Sequence, residues 1–442
     1  FSAYSKNGPL PNSDGLAYGG RSGTVIVKWP GKDRIYYIFS AGEPEEHPGF
    51  YYSLVDMKLL DGQGYVTEKN TEIEAGYDVG SKIGIVKKEG TESVWVITRK
   101  LTEDAIASYL VDESGFNPNP VLSAMPDREA LSDYDEGNLK ISPDKKFLIV
   151  SYRWSSGSGG ELEICTFNPE NGTFEYVITH KNLLIQNNQI RGFEYSPDSK
   201  FLYVSIGIPN SDSTLLYQYE MQYIADSIMF KNSGQLIGTG DILDLQLARD
   251  GKIYCGQDGD SQGHLRYYLD VIHKPWIRGV GCMYQNDAVN QSPHHLHGNL
   301  PNILVDYLLR FEWTGEQCQG YPIHFKPNFI PTPQTIQWNF DDGPGSTSWQ
   351  LSPTYIFKNP GIHEVKVDVW YPSGRYEHTS REIEIFPSPQ PDLGLNTLIC
   401  QDASLTLSAG CDADFFSWST GQFGVSSITV SDSGTYWVKG RF

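Results

Sequence analysis

The sequence predicts an all-β chain, and three observations lead there. A strand–turn–strand unit recurs at nearly constant spacing. Aromatic and β-branched residues run in short alternating stretches, and Gly- or Pro-bearing turns separate those stretches. The recurrence carries the most weight. Residues 141–152 read ISPDKKFLIVSY, 195–207 read YSPDSKFLYVSIG, and 247–258 read LARDGKIYCGQD. Each is an apolar lead, a polar turn with Asp144, Asp198 or Asp250, and a second apolar run; the turn aspartates lie 54 and then 52 residues apart. A hairpin repeat of that period marks a β-propeller blade. Composition agrees: aromatics are 13%, with Gly 44 and Pro 26, and rings suit a pleated surface while Gly and Pro suit tight turns.

Two earlier segments fall in register. Residues 23–42 (GTVIVKWPGKDRIYYIFSAG) and 82–100 (KIGIVKKEGTESVWVITRK) place turns at Gly31 and Gly90, which lie 59 residues apart and then 54 before Asp144. A less regular unit follows at 262–310. Six or seven blades are therefore expected for the propeller of 1–310, either complete within it or with an early blade upstream of Phe1. After residue 310 the texture changes. Residues 311–388 contain IQWNFDDG, an Asn-Pro-Gly turn, and an alternating strand from His363 to Trp370, which suits a small β-sandwich. The PSPQP linker at 387–391 is extended. Residues 389–442 read as a second small sandwich, Ig-like, with strand signals at SLTLSA, FFSWST, SSITVS and TYWVKG.

The formal charge is -20, which repels phosphate backbones and argues against a nucleic-acid role. No apolar run reaches the roughly 18 residues needed to span a bilayer. Both ends read as cut, so the chain is expected to be a fragment of a longer polypeptide. The six cysteines include no CxxC, so a zinc knot is not expected. Cys400 and Cys411 are candidates to pair with each other, or Cys400 with a cysteine beyond the chain.

Candidate ligand-binding residues fall on loops. Trp154 in YRWSSGSGGE and Trp276 in HKPWIRG are large rings in flexible sequence, where stacking on a sugar or partner side chain is the functional alternative to packing. His294, His295 and His297 in SPHHLHG offer imidazoles, though no strand or loop would converge all three on one metal. Calcium-type oxygen ligands occur at Asp133, Asp135 and Glu136, at Asp258 and Asp260, and at Asp341 and Asp342, none with EF-hand spacing. For Asp341 and Asp342, turn capping is expected ahead of calcium. There is no nucleophile elbow, HExxH, P-loop or dinucleotide fingerprint, so no catalytic residue is assigned and no cofactor is required. Trp29, Trp95 and Trp313 read as core.

WNFDDG followed by SPTYIFKNPGIHEVKVDV resembles a PKD domain, with Asp341 standing where that pattern has Gly. The last unit resembles the Ig-like repeats of surface proteins of gliding bacteria. The front part, with YSPDSKFLYVS, GKIY and LPNIL, is similar to the propeller of the gliding motility-associated C-terminal domain group. That resemblance implies export by the type IX secretion pathway, an extracellular or outer-surface setting, and a C-terminal sorting domain beyond residue 442. It also implies adhesion, with a cell-surface protein or glycan, or type IX secretion or outer-membrane components, as partner. The expectation is a non-enzymatic binding protein whose propeller recognises and whose sandwiches act as spacers. A propeller lyase or glycosidase, and a stalk or cargo with no ligand of its own, are the alternatives.

Overall fold

A computed structural model describes the chain except residues 1–3, 6–7, 15, 17–18, 43–48, 76–78, 89, 101–102, 127–136, 154–159, 185–187, 209–210, 212, 258–266, 293–299, 305–307, 331, 372–375, 389–390, 411–412 and 442. The chain divides into two compact units, residues 1–308 and 309–442. Among the described residues no helix is long and apolar enough to cross a membrane.

The first unit is a β-propeller. Its described residues form five four-stranded antiparallel meanders. The last three are separate sheets, while the first two share one nine-stranded sheet, joined by a parallel bridge between Ser22 and Lys82 and extended by the short strand Gly115–Phe116. Blade 1 runs Gly19–Lys28, Ile35–Gly42, Gly49–Asp56 and Tyr65–Ala75. Blade 2 runs Val79–Lys87, Val94–Lys100, Ala105–Asp112 and Val121–Ala124. Blade 3 comprises Leu139–Ile141, Phe147–Arg153, Gly160–Asn168 and Thr173–Lys181. Blade 4 comprises Gln189–Tyr195, Phe201–Gly207, Thr214–Glu220 and Gln235–Gly240. Blade 5 is Ile242–Leu247, Ile253–Gln257, Tyr268–Ile272 and Tyr284–Asn290. The six or seven expected from sequence counted 262–310 as a unit of its own. Instead Tyr268–Ile272 pairs with Ile253–Gln257, and Tyr284–Asn290 pairs with Tyr268–Ile272, which completes blade 5.

The repeat turns explain the shared sequence. In blade 3 the Ser142 hydroxyl donates to Asp144 (2.7 Å) and accepts from the Phe147 N–H (3.0 Å). Ser196 repeats both bonds with Asp198 (2.8 Å) and Phe201 (2.9 Å). In blade 5 Ala248 replaces the serine, and Asp250 still caps the turn through the Lys252 N–H at 3.0 Å. The following position is left-handed each time, at Lys145, Ser199 and Gly251.

Sheets packed face to face bury both sides of their inner strands, so these strands read as continuous apolar runs. Val94–Lys100 is buried at every position. Alternate side chains feed opposite interblade cores: Leu148, Val150 and Tyr152 join Val86, Ile97 and Ile106 of blade 2. Ile149 between them joins Phe193, Leu202 and Val204 of blade 4. Close to the axis, side chains must shrink. A Cβ on Gly192 would lie 2.9 Å from Asp244 Cα and 2.9 Å from the Leu243 carbonyl, and one on Gly84 would lie 2.3 Å from Leu139 Cδ2.

In the second unit, Leu308–Thr314, Pro322–Ile330 and Thr354–Ile356 form one sheet. Thr347–Ser348, Thr335–Asn339, Gly361–Trp370 and Tyr376–Ile385 form another. Rings of Phe311, Phe325, Trp338, Phe340 and Phe357 pack in their core. The last residues form two two-stranded sheets around Phe416, Trp418, Ile428 and Val430. Of the tryptophans read as core, Trp95 is buried, while Trp29 and Trp313 are half-buried. Cys400 is an exposed free thiol, and Cys411 lies outside the described residues.

Gly192→Ala is expected to destabilise the first unit by about 2 kcal/mol, because backbone rather than a flexible side-chain tip must yield. Gly434→Ala, whose Cβ would meet only atoms 3.9 Å away, serves as the control. Urea unfolding followed by far-UV circular dichroism measures both, and equal midpoints would contradict the crowding argument.

Candidate functional site

The strand leading into each repeat turn lies at the propeller axis, and equivalent positions on three successive blades meet there. Two residues before the turn lead stand Lys140, Glu194 and Gln246; four before it stand Asn138, Gly192 and Asp244. Lys140 Nζ donates to Glu194 Oε2 at 2.9 Å, to the Leu245 carbonyl, and to Gln246 Oε1 at 3.4 Å. Glu194 also accepts from the Leu247 N–H (2.9 Å) and the Tyr195 N–H (2.8 Å). Asp244 accepts from Asn138 Nδ2 across the axis (3.0 Å), from the Leu245 N–H (2.8 Å) and from the Leu300 N–H (3.1 Å). Burial pushes the Asp244 carboxyl above the usual aspartate range; Lys140 and the two amide donors pull it back only in part.

Residues 300–304 tie the end of blade 5 back to the beginning. Leu300 binds Asp244 of blade 5, Asn302 Nδ2 donates to the Ile83 carbonyl of blade 2 (2.6 Å), and Leu304 packs on the core shared by blades 1 and 2. A second buried polar group lies between blades 2 and 3. Arg99 donates to the Ala105 carbonyl (3.0 Å), to Asp104 (3.3 Å) and to the Tyr152 hydroxyl (3.3 Å). Tyr152 in turn donates to Glu163 at 2.7 Å, and the Lys82 ammonium sits 4.2 Å from the Tyr152 ring centroid. A third group caps blade 5: Asp270 accepts from Gln257 Nε2 (2.5 Å), the Tyr284 hydroxyl (2.7 Å) and the Asp287 N–H (2.8 Å). Burial raises the Asp270 carboxyl as well. These ions are bound to one another and to backbone, which makes them braces that fix the inner strands.

The two ends of the propeller differ. The Ser-Pro-Asp turns and the third-to-fourth strand connections lie at one end. Second-to-third strand connections and blade-to-blade links leave from the other. The strand ends Arg153 and Gly160, which flank Trp154, are at this second end. So are Gln257 and Tyr268, which flank Asp258 and Asp260, and Asn290, which precedes the histidines. Trp154, His294, His295, His297, Asp133, Asp135, Glu136, Asp258 and Asp260 themselves lie outside the described residues. Trp276 belongs to the opposite end, half-buried in the connection between Ile272 and Tyr284. That connection is pinned to blade 4: Tyr203 donates to the Pro275 carbonyl (3.0 Å), and Gln218 bridges the Ile277 carbonyl (2.9 Å) and the Gly279 N–H (2.7 Å).

Asp342 is buried and its carboxylate is saturated. It accepts from the Lys358 N–H (2.7 Å), Asn359 Nδ2 (2.8 Å), the Asn359 N–H (3.1 Å) and the Tyr355 hydroxyl (3.1 Å). Burial pushes its pKa up, but these donors outweigh burial and hold it below the usual value. Burial and the Asp342 charge push Tyr355 up to about 12. Asp341 adopts φ +55, a left-handed position that suits the Gly of the PKD pattern and that Asp tolerates. Its carboxylate accepts from the Glu364 N–H (3.3 Å). Neither carboxylate caps its own turn as expected: Asn339 does so by accepting from the Asp341 N–H (3.0 Å), while Asp341 and Asp342 reach residues 13 to 23 positions further on. No cluster of three or more metal-ligating residues occurs among the described residues.

No protein-family model matches the chain, and no curated protein matches it. Among solved structures it is similar to an oligogalacturonate lyase from Vibrio parahaemolyticus, at 9% identity and TM-score 0.33, over 67% of this chain and 87% of that one. It is also similar to an exo-β-1,3-galactanase from Phanerochaete chrysosporium, at 8% identity and TM-score 0.35, over 88% and 93%. A third is the extracellular domain of a one-component system from B. thetaiotaomicron, at 12% identity and TM-score 0.31, over 89% and 51%. Likeness at this level carries no functional conclusion.

Lys140→Met strands the buried Glu194 charge and is expected to cost about 3 kcal/mol. Lys140→Met combined with Glu194→Gln should recover part of that loss, and a strictly additive double mutant would show that the pair is not coupled. A pH effect follows from Asp244. Its pKa is raised in the folded state, so the folded chain holds the proton more tightly than the unfolded one. Its contribution to stability therefore falls as pH rises from the ordinary aspartate range, near about 3.9, through the raised value. Urea unfolding of the wild type and Asp244→Asn across that window should show the wild type losing stability relative to the variant as pH increases; parallel profiles would refute the assignment.

Proposed function

We propose that this chain is the recognition part of a modular surface protein of the gliding motility-associated C-terminal domain group, exported by the type IX secretion pathway. In this reading the propeller recognises a protein or glycan at the cell surface and the sandwiches hold it at a distance. The observation that carries the reading is the braced axis. Lys140, Glu194, Asp244 and Asn138 are engaged in fixing the inner strands, so the propeller serves as a rigid ring for connections that leave from one end. Rigid scaffolds with variable loops on one face suit binding, because little ordering entropy is lost on association. The PKD-like turn around Asp342 is rigid in the same way, as a spacer requires. Type IX secretion or outer-membrane components are the partners that this setting brings within reach.

A glycan array and a cell-surface pull-down with the intact chain test the proposal, with Trp154→Ala and the pair His295→Ala/His297→Ala as variants. Binding by the wild type that weakens at least about tenfold in one variant is the expected outcome, as for a residue at the centre of an interface. Silence from the wild type in both assays would remove the recognition role.

A further inference from the structure

One face of the second unit's four-stranded sheet carries a line of rings that faces solvent. On Gly361–Trp370 the alternation sends Val365, Val367 and Val369 into the core and leaves Lys366, Asp368 and Trp370 on the outer face. The register sets Tyr376 opposite Trp370 and His378 opposite Asp368. On the other side Gln337 lies opposite Asp368. The pairing of Trp338 with Ser348 carries the next residue, Trp349, to the outer face beside Gln337. The rings touch in sequence: Trp349 to Trp370 at 6.2 Å between centroids and 20° between planes, Trp370 to Tyr376 at 5.6 Å, and Tyr376 to His378 at 5.8 Å. Trp349 is 59% exposed and Tyr376 49%.

These rings are not core. The core of this module is filled from the opposite face of the same sheet by Ile336, Trp338, Ile383 and Ile385. Contiguous exposed rings on a soluble surface mark an interaction site. Their neighbours narrow the ligand. Gln337, Asp368 and His378 form a polar row beside the rings, and the Tyr376 hydroxyl donates to Asp368 Oδ1. Hydrogen bonding to that carboxylate raises the Tyr376 pKa further above its ordinary value. Apolar ring faces beside amide, carboxylate and imidazole groups match a pyranose, which has C–H faces and a rim of hydroxyls. Charge excludes polyanions: Glu364, Asp368 and Glu382 share this face, and Lys366 is already paired with Glu364 at 2.9 Å.

We propose that this face, centred on Trp349, Trp370 and Tyr376, binds a neutral polysaccharide chain. The sandwich is then a second point of attachment as well as a spacer, and the site is independent of the propeller reading.

The test uses the intact 442-residue chain and isothermal titration with cellohexaose, laminarihexaose and chitohexaose, with polygalacturonate as the anionic control. The expected result is binding of at least one neutral probe, weakened at least about tenfold by Trp370→Ala and by Trp349→Ala, with no binding of polygalacturonate that these variants alter. Trp349 is exposed enough that its truncation leaves the fold intact, which an unchanged thermal midpoint verifies. The proposal is overturned if no neutral probe binds or if binding survives both substitutions. It is equally overturned if the substitutions change only the sedimentation of the protein, which would make the face a self-association surface. Trp154→Ala separates the two sites: a loss confined to that variant supports the propeller reading and defeats this one, and a loss confined to Trp349→Ala and Trp370→Ala does the reverse.

Discussion

The propeller depends on how closely its innermost strands approach one another. Sheets arranged around an axis are most crowded where they meet, and Lys140, Glu194, Asp244 and Asn138 there are buried. Gly84 and Gly192 answer the crowding by having no side chain. Lys140, Glu194, Asn138 and Asp244 fill the remaining space with groups that satisfy one another. A buried ion pair of this kind adds little net stability compared with apolar packing, but a wrong register would leave bare charges at the axis. The inner strands are thereby held to one alignment, and the interblade cores assemble on them.

That alignment separates two kinds of connection. At one end the strands are joined by tight turns in which a serine or alanine, an aspartate and a left-handed residue fix the geometry within a few atoms. At the other end, strand ends such as Arg153 and Gly160 or Gln257 and Tyr268 open into longer segments. The loop joining Ile272 to Tyr284 is an exception, being long yet clamped onto blade 4 by Gln218 and Tyr203.

The second unit divides its sheet in a comparable way. Asp342 gathers four donors and locks the turn that follows Trp338 and Phe340. The inner face of the sheet is then a packed aromatic core, and the outer face carries Trp349, Trp370 and Tyr376 beside polar groups. One strand serves both purposes because successive side chains point to opposite faces.

By itself the sequence determined the all-β class, the repeat and the change of texture near residue 310, since turn chemistry and strand alternation are local and leave their mark within a dozen residues. The aspartate turns at 144, 198 and 250 were legible for that reason, whereas Asp341 and Asp342 turned out to bind segments 13 to 23 residues away, which no local pattern shows. Tertiary structure alone decided that 268–290 completes blade 5, because strand pairing across a ten-residue connection has no local signature. It alone joined Lys140 to Glu194 and Asn138 to Asp244, residues 54 and 106 positions apart. A shared offset from the repeat turns was the one hint of this in the sequence. It also decided that Trp349 and Trp370 form one surface, because only the register across three strands brings those rings together.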